Sequence, residues 1–223
     1  MSESNGNVSS QAQINTALLI IDLISDFSFK DGEKLFPHAL QAAENIAALK
    51  TKAKASGVPV IFVNDNYGRW NDDFSGYKKY VRENSEKGRK VLGLIEPEAD
   101  DYFILKPQRS GFYATALGVL LLSLDVSTVI VTGVTTDICV LFTAHDAYMR
   151  GFHVGVPGDC SAAVERRHHD QAMDLLARVA DADTRRGGLV EFSPNDKRQR
   201  DLAGRNGVPD PGVSASLRAG GMQ

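Results

Sequence analysis

The chain has 223 residues, 43% of them hydrophobic, and a formal net charge of 25 − 28 = −3. That length fits one domain with tails, and it can bury a core without a metal or disulfide to hold it. The near-neutral balance, with no Lys/Arg-rich patch, argues against nucleic acid and anionic membranes as partners, and two cysteines do not make a secreted disulfide framework.

Residues 1–15 are polar, rich in Ser, Asn and Gln, and lack the apolar core of a signal sequence. They read as a disordered tail on a cytoplasmic protein. No apolar run approaches the ~20 residues of a membrane span. Ala17-Leu18-Leu19-Ile20-Ile21 is a continuous apolar run ending at Asp22, the pattern of a strand buried on both faces. Pro37 opens a predicted helix in which Ala39, Leu40, Ala43, Ile46, Ala47 and Leu49 recur at helical spacing, and Gly57 closes it. Val58 to Val63 is the second strand, with Pro59 near its start. The stretch from Asn64 to about Glu98 is polar and aromatic, too long for a simple connection, and reads as partly helical and functional.

Tyr102 to Leu105 is a third strand, ending at Lys106-Pro107. A helix over Thr115 to Leu124 and a fourth strand over Thr128 to Gly133 follow. A helix is predicted from Cys139 to Arg150, closed by Gly151, then a fifth strand from His153 to Val156 and a helix from Glu165 to Val179. Strands alternating with helices imply an α/β fold, a three-layer α-β-α domain with a mainly parallel, Rossmann-like sheet over 16–187. Residues 188–223 read as a flexible or partner-docking arm.

Open parallel sheets bind ligands beyond the carboxyl ends of their strands, where strand order reverses. Asp22, Lys106 and Cys139 each stand at such an end, a pattern that core packing does not need. A helix N-terminus and a nearby ammonium both favour a thiolate at Cys139, and Asp22 could serve as its base. Position alone leaves open that Cys139 is a small buried residue.

The segment Gly133-Val134-Thr135-Thr136-Asp137-Ile138-Cys139-Val140 resembles the isochorismatase-like cysteine hydrolases, which include nicotinamidases, carbamoylsarcosine hydrolases and related amidases. A strand ending in Asp22 with Phe27 after it, and Lys106 followed by Ser110-Gly111-Phe112, strengthen the match, which covers about Ala17 to Thr184. The resemblance implies a catalytic triad of Asp22, Lys106 and Cys139. It also implies a cis peptide joining Val134 to Thr135, and an oxyanion hole from the backbone N–H groups of Thr135 and Cys139. A retained cysteine points to covalent attack on an amide-type C–N bond of a small molecule through a thioester. Hydrolysis of an ester or vinyl ether is the alternative within the fold, and a binding module with a redox-sensitive thiol the alternative outside it. The family resemblance further implies a homo-oligomer, dimer or tetramer.

Nicotinamidases of this family usually hold a metal through an aspartate and histidines after the second strand. Asp65 stands there, but no histidine occurs between His38 and His145, so no metal and no other cofactor is expected. Phe27, Asn66, Tyr67, Trp70, Phe112 and Tyr113 are the candidate walls of the substrate pocket; Trp70 could equally pack a lid or subunit contact. Arg69 and Arg109 could pair with a substrate carboxylate or lie on the surface. Asp137 reads as a helix cap or a hydrogen-bonding group inside the turn, Cys160 as structural, and His168-His169 as a solvated surface pair.

Overall fold

The computed structural model describes residues 16–66 and 73–192. The strands are β1 (Thr16–Ile21), β2 (Val60–Asp65), β3 (Tyr102–Lys106), β4 (Thr128–Val134), β5 (His153–Gly155) and β6 (Ser161–Ala162). The helices are α1 (Gly32–Ala55), α2 (Phe74–Asn84), α3 (Glu86–Leu94), α4 (Leu117–Ser123), α5 (Leu141–Met149) and α6 (Arg166–Val179). Every strand pairing is parallel. The order is β3-β2-β1-β4-β5, with the short β6 also paired to β4. The chain therefore walks outward from β1 in one direction and from β4 in the other, and the reversal lies between those two strands.

The apolar runs become strands because both faces of the sheet are covered. Along β1, Leu18 and Ile20 enter the apolar layer built with α1, α2 and α3. Ala17, Leu19 and Ile21 enter the opposite layer, built with α4 and α5. All five are fully buried. Burying a side chain of this size contributes about 1.5–3 kcal/mol, so a strand carrying it on both sides is fixed in register.

Three elements differ from the sequence expectation. Helix α1 starts at Gly32 rather than Pro37, because the Asp31 carbonyl accepts the Lys34 and Leu35 N–H groups and sets the first turn early. The helix expected from Cys139 is a single π-helical turn, Thr136–Val140, running into α5, so Cys139 lies within the turn. Strand β6 was not expected, since two residues carry no periodic pattern. At the other end, Val190 and Phe192 pack on the core, past the expected boundary at 187. The tail expected over 1–15, and the arm beyond 192, lie outside the described residues. Among the described residues, no helix is long and apolar enough to cross a membrane.

Candidate active site

Asp22, Lys106 and Cys139 meet at the carboxyl edge of the sheet. Asp22 directly follows β1, with its backbone in the left-handed region (φ 51) and its N–H donated to the Val63 carbonyl at 3.0 Å. Lys106 ends β3, two strands away, and its fully buried side chain reaches across β2. Its Nζ lies 2.8 Å from Asp22 Oδ2 and 3.5 Å from Cys139 Sγ. The Cys139 sulfur and the Asp22 carboxylate are near enough for each to shift the other's proton affinity. Asp65, the last residue of β2, completes the cluster: its N–H donates to Asp22 Oδ1 at 2.6 Å, and its Oδ2 lies 3.4 Å from Lys106 Nζ.

The electrostatics correct one expectation. Burial, and then the negative charge of Asp22, push the Cys139 thiol above its ordinary range, outweighing the opposing pull of Lys106. Burial and Asp22 thus work against the thiolate that a helix end and one ammonium alone would favour. Burial likewise raises Asp22, against the pull of Lys106. For Lys106, burial pushes down, but Asp22, Cys139 and Asp65 together carry it above the usual lysine value. The arrangement therefore holds an ammonium between carboxylates, with the sulfur beside a carboxylate that can accept its proton.

The turn that carries Cys139 is held from several sides. Gly133 has φ 109, and a Cβ there would collide with the Ile21 backbone, so the pairing of β1 with β4 just before the turn requires glycine. The Val134–Thr135 peptide is cis. The Thr135 carbonyl accepts the N–H groups of Ile138 and Val140, each at 3.1 Å. Strand β6 pairs with Gly133 and Val134. Asp137 lies inside the turn, which has Thr135 at its cap position; its Oδ1 is buried without a hydrogen-bond partner and its Oδ2 lies 3.8 Å from His168 Nδ1, so neither the cap nor the hydrogen bond inside the turn expected from sequence is seen.

The expected pocket residues divide. Asn66 follows β2, and its backbone N–H donates to the Lys106 carbonyl at 3.1 Å, which sets its main chain beside that of Lys106. Tyr67 and Trp70, with Arg69, lie outside the described residues. Phe27 is buried with its ring edge-on to Phe36 at 5.4 Å. Phe112 is also buried, 6.0 Å from Phe152 and beneath the Arg150 guanidinium. Both rings pack in the core, because the apolar layers take up an aromatic that a strand end delivers. Tyr113 is exposed, and Arg109 sits 5.9 Å from the Phe142 ring.

Sequence reading missed several supports. The loop after Lys106 is stapled to α5: Ser110 Oγ donates to Asp146 Oδ2 at 2.7 Å, and Gly111 N–H donates to Thr143 Oγ1 at 2.9 Å. Lys106 and Cys139 are thereby tied to one rigid unit. His169, expected at the surface, is buried, and its Nδ1 lies 2.8 Å from the Thr136 hydroxyl. Adjacent residues on a helix point about 100° apart, so one of a histidine pair can face inward while the other does not. Asp65 was legible by the strand-end rule that singled out Asp22 and Lys106.

Among the described residues, no group of three or more His, Cys, Asp and Glu side chains is placed to share an ion. The Asp65 carboxylate already faces the Lys106 ammonium.

Residues 16–185 match the isochorismatase domain model. The chain belongs to the isochorismatase family. It is 37% identical over 168 residues to the isochorismatase family protein YaaI of Bacillus subtilis, covering 75% of this chain and 92% of that one. It is 29% identical over 194 residues to the maleamate amidohydrolase of Pseudomonas putida, covering 84% of this chain and 88% of that one. The fold superposes on N-carbamoylsarcosine amidase of Thermoplasma acidophilum with a TM-score of 0.61 at 27% identity, over 79% of this chain and 99% of that one. The family includes hydrolases, and amidohydrolases among them.

Proposed function

We propose that the chain is a cysteine-dependent amidohydrolase that cleaves an amide-type C–N bond of a small molecule. The observation that carries the reading is the contact of Lys106 Nζ with both Asp22 Oδ2, at 2.8 Å, and Cys139 Sγ, at 3.5 Å, at the switch point of the sheet. The amidohydrolase and amidase among the chain's relatives support the same class of bond.

A sulfur that starts protonated sets the sequence of steps. As the substrate carbonyl carbon approaches sulfur, the thiol proton passes to the Asp22 carboxylate and the S–C bond forms. Lys106 stabilises the sulfur charge while it develops. The backbone N–H groups of Thr135 and Cys139 are assigned to the oxyanion; a single donor of that kind typically contributes ~10²–10³ in turnover. The proton on Asp22 then goes to the leaving nitrogen, the C–N bond breaks, and ammonia or an amine departs. Water attacks the thioester with Asp22 as base, releasing a carboxylic acid and restoring the thiol. With the proton starting on sulfur, base and nucleophile act in one step, and Asp22 must be unprotonated for the cycle to begin.

Ammonia release across a panel of small carboxamides and ureido compounds, with esters as a control set, tests the reading. Wild type is expected to release ammonia from at least one member and to accumulate an acyl adduct on Cys139 detectable by mass spectrometry. Turnover unchanged in Cys139→Ala ends the thiol mechanism, and turnover confined to the esters moves the chemistry to that class.

A further inference from the structure

We infer that His169 is a positioning residue for Cys139, acting through the hydroxyl of Thr136; the inference rests on Cys139 being the reacting group. Thr136 opens the turn that carries the sulfur, three residues upstream of it. It is fully buried, His169 is nearly so, and Thr136 Oγ1 lies 2.8 Å from His169 Nδ1. A hydroxyl both donates and accepts, so either neutral tautomer of the ring closes this bond. A buried hydroxyl without a partner would be costly, which makes His169 the group that keeps the Thr136 side chain, and the turn entrance with it, in place.

The helix behind the ring is suited to that task. His169 lies in the first turn of α6, where its own N–H donates to the Glu165 carbonyl at 3.2 Å. Burial, followed by the neighbouring Arg166 charge, holds the imidazole below its ordinary value and so uncharged. The Thr135 carbonyl receives both the Ile138 and Val140 N–H groups, and the Leu141 N–H closes the turn onto the Thr136 carbonyl, so the backbone of Thr136 and its side chain are both part of the closure. The entrance is pinned on the strand side by the β6 pairing at Gly133 and Val134, and on the helix side by His169. A displacement of about 1 Å at a reacting atom costs on the order of 10²-fold in rate, so a brace at this distance reaches the chemistry without touching the substrate.

Kinetics on the amide found active in the panel, joined to amide hydrogen exchange of the turn, test the inference. His169→Ala and Thr136→Val are each expected to lower kcat about tenfold with KM within twofold of wild type. The double variant should be no worse than the poorer single, because both remove one bond. His169→Asn, which returns a polar group near the Nδ1 position, should recover kcat to about threefold of wild type. Exchange at Ile138 and Val140 should accelerate in His169→Ala and Thr136→Val while the central strands remain protected. A kcat within twofold of wild type, additive losses in the double variant, or unchanged exchange in the turn each overturns the role. Should His169→Ala fail to fold, the near-isosteric Thr136→Val decides. If wild type turns over no amide, the proposed activity fails, while the exchange measurement still rules on His169.

Discussion

Two buried lysines sit near the two ends of strand β3, and each pairs with a buried aspartate. Asp101 immediately precedes the strand, and Lys50 Nζ, from α1, lies 3.1 Å from its Oδ2. Lys106 ends the strand, and its Nζ lies 2.8 Å from Asp22. An ammonium has three hydrogens to place. Lys50 places the others on the Glu96 carbonyl at 2.6 Å and Glu98 Oε1 at 2.8 Å, while Asp101 also takes the Glu98 N–H and the Lys54 ammonium, both at 2.8 Å. Lys106 faces Asp65 at 3.4 Å and the Cys139 sulfur at 3.5 Å. The first cluster is closed on strong oxygen acceptors and joins α1 to the loop before β3. The second shares its cation with the proposed nucleophile and carries its carboxylate on left-handed backbone. A buried ion pair is therefore no sign of chemistry by itself; a reactive group among the partners is.

The contrast breaks most sharply at sulfur. Cys139→Ala should remove turnover by on the order of 10⁴-fold or more, yet leave the urea midpoint at or above that of wild type, since it deletes only a desolvated thiol. Next, Asp22→Asn should cost ~10²–10⁴ in kcat by removing the base. It should also cost stability, because Lys106 is left buried against a neutral amide. Asp101→Ala tests the other end of β3: about 1.5–3 kcal/mol of stability should be lost with the charge-assisted hydrogen bonds this carboxylate accepts from Lys50, Lys54 and the Glu98 N–H, with kcat within twofold of wild type in the protein that remains folded. Loss of turnover in folded Asp101→Ala would erase the distinction between the two clusters.

The smallest effect concerns pH. His169 and His153 are both held below the ordinary 6.5, chiefly by burial. The folded state then binds fewer protons than the unfolded one, so stability is full above that value and falls as pH drops below it. Urea midpoints from pH 7 to pH 5 should show this fall, and His169→Asn should make it shallower.

Much of the fold was legible because burial on both faces writes itself as uninterrupted apolar runs, as in β1 and β4. The convergence of Asp22, Lys106 and Cys139 was legible because charge at the end of such a run has no packing purpose, and the glycine-threonine-rich stretch before Cys139 is specific. Lys50 was not: one lysine within a long amphipathic helix looks like any solvated cation, and only the tertiary placement of Asp101 makes it otherwise. His169 failed for the mirror reason, since the polar neighbours Arg166, Arg167 and His168 disguised an inward residue. The aromatics Phe27 and Phe112 read as pocket walls because their position next to reactive residues in sequence says nothing about which way a ring turns.

Gly133 brings the largest consequence from the smallest group. Its bare α-carbon is the gauge that sets how far apart β1 and β4 stand at the point where one yields Asp22 and the other leads to Cys139. A single added methyl would have to wedge the two central strands open, so distance between proton acceptor and sulfur is governed there by an atom that is missing.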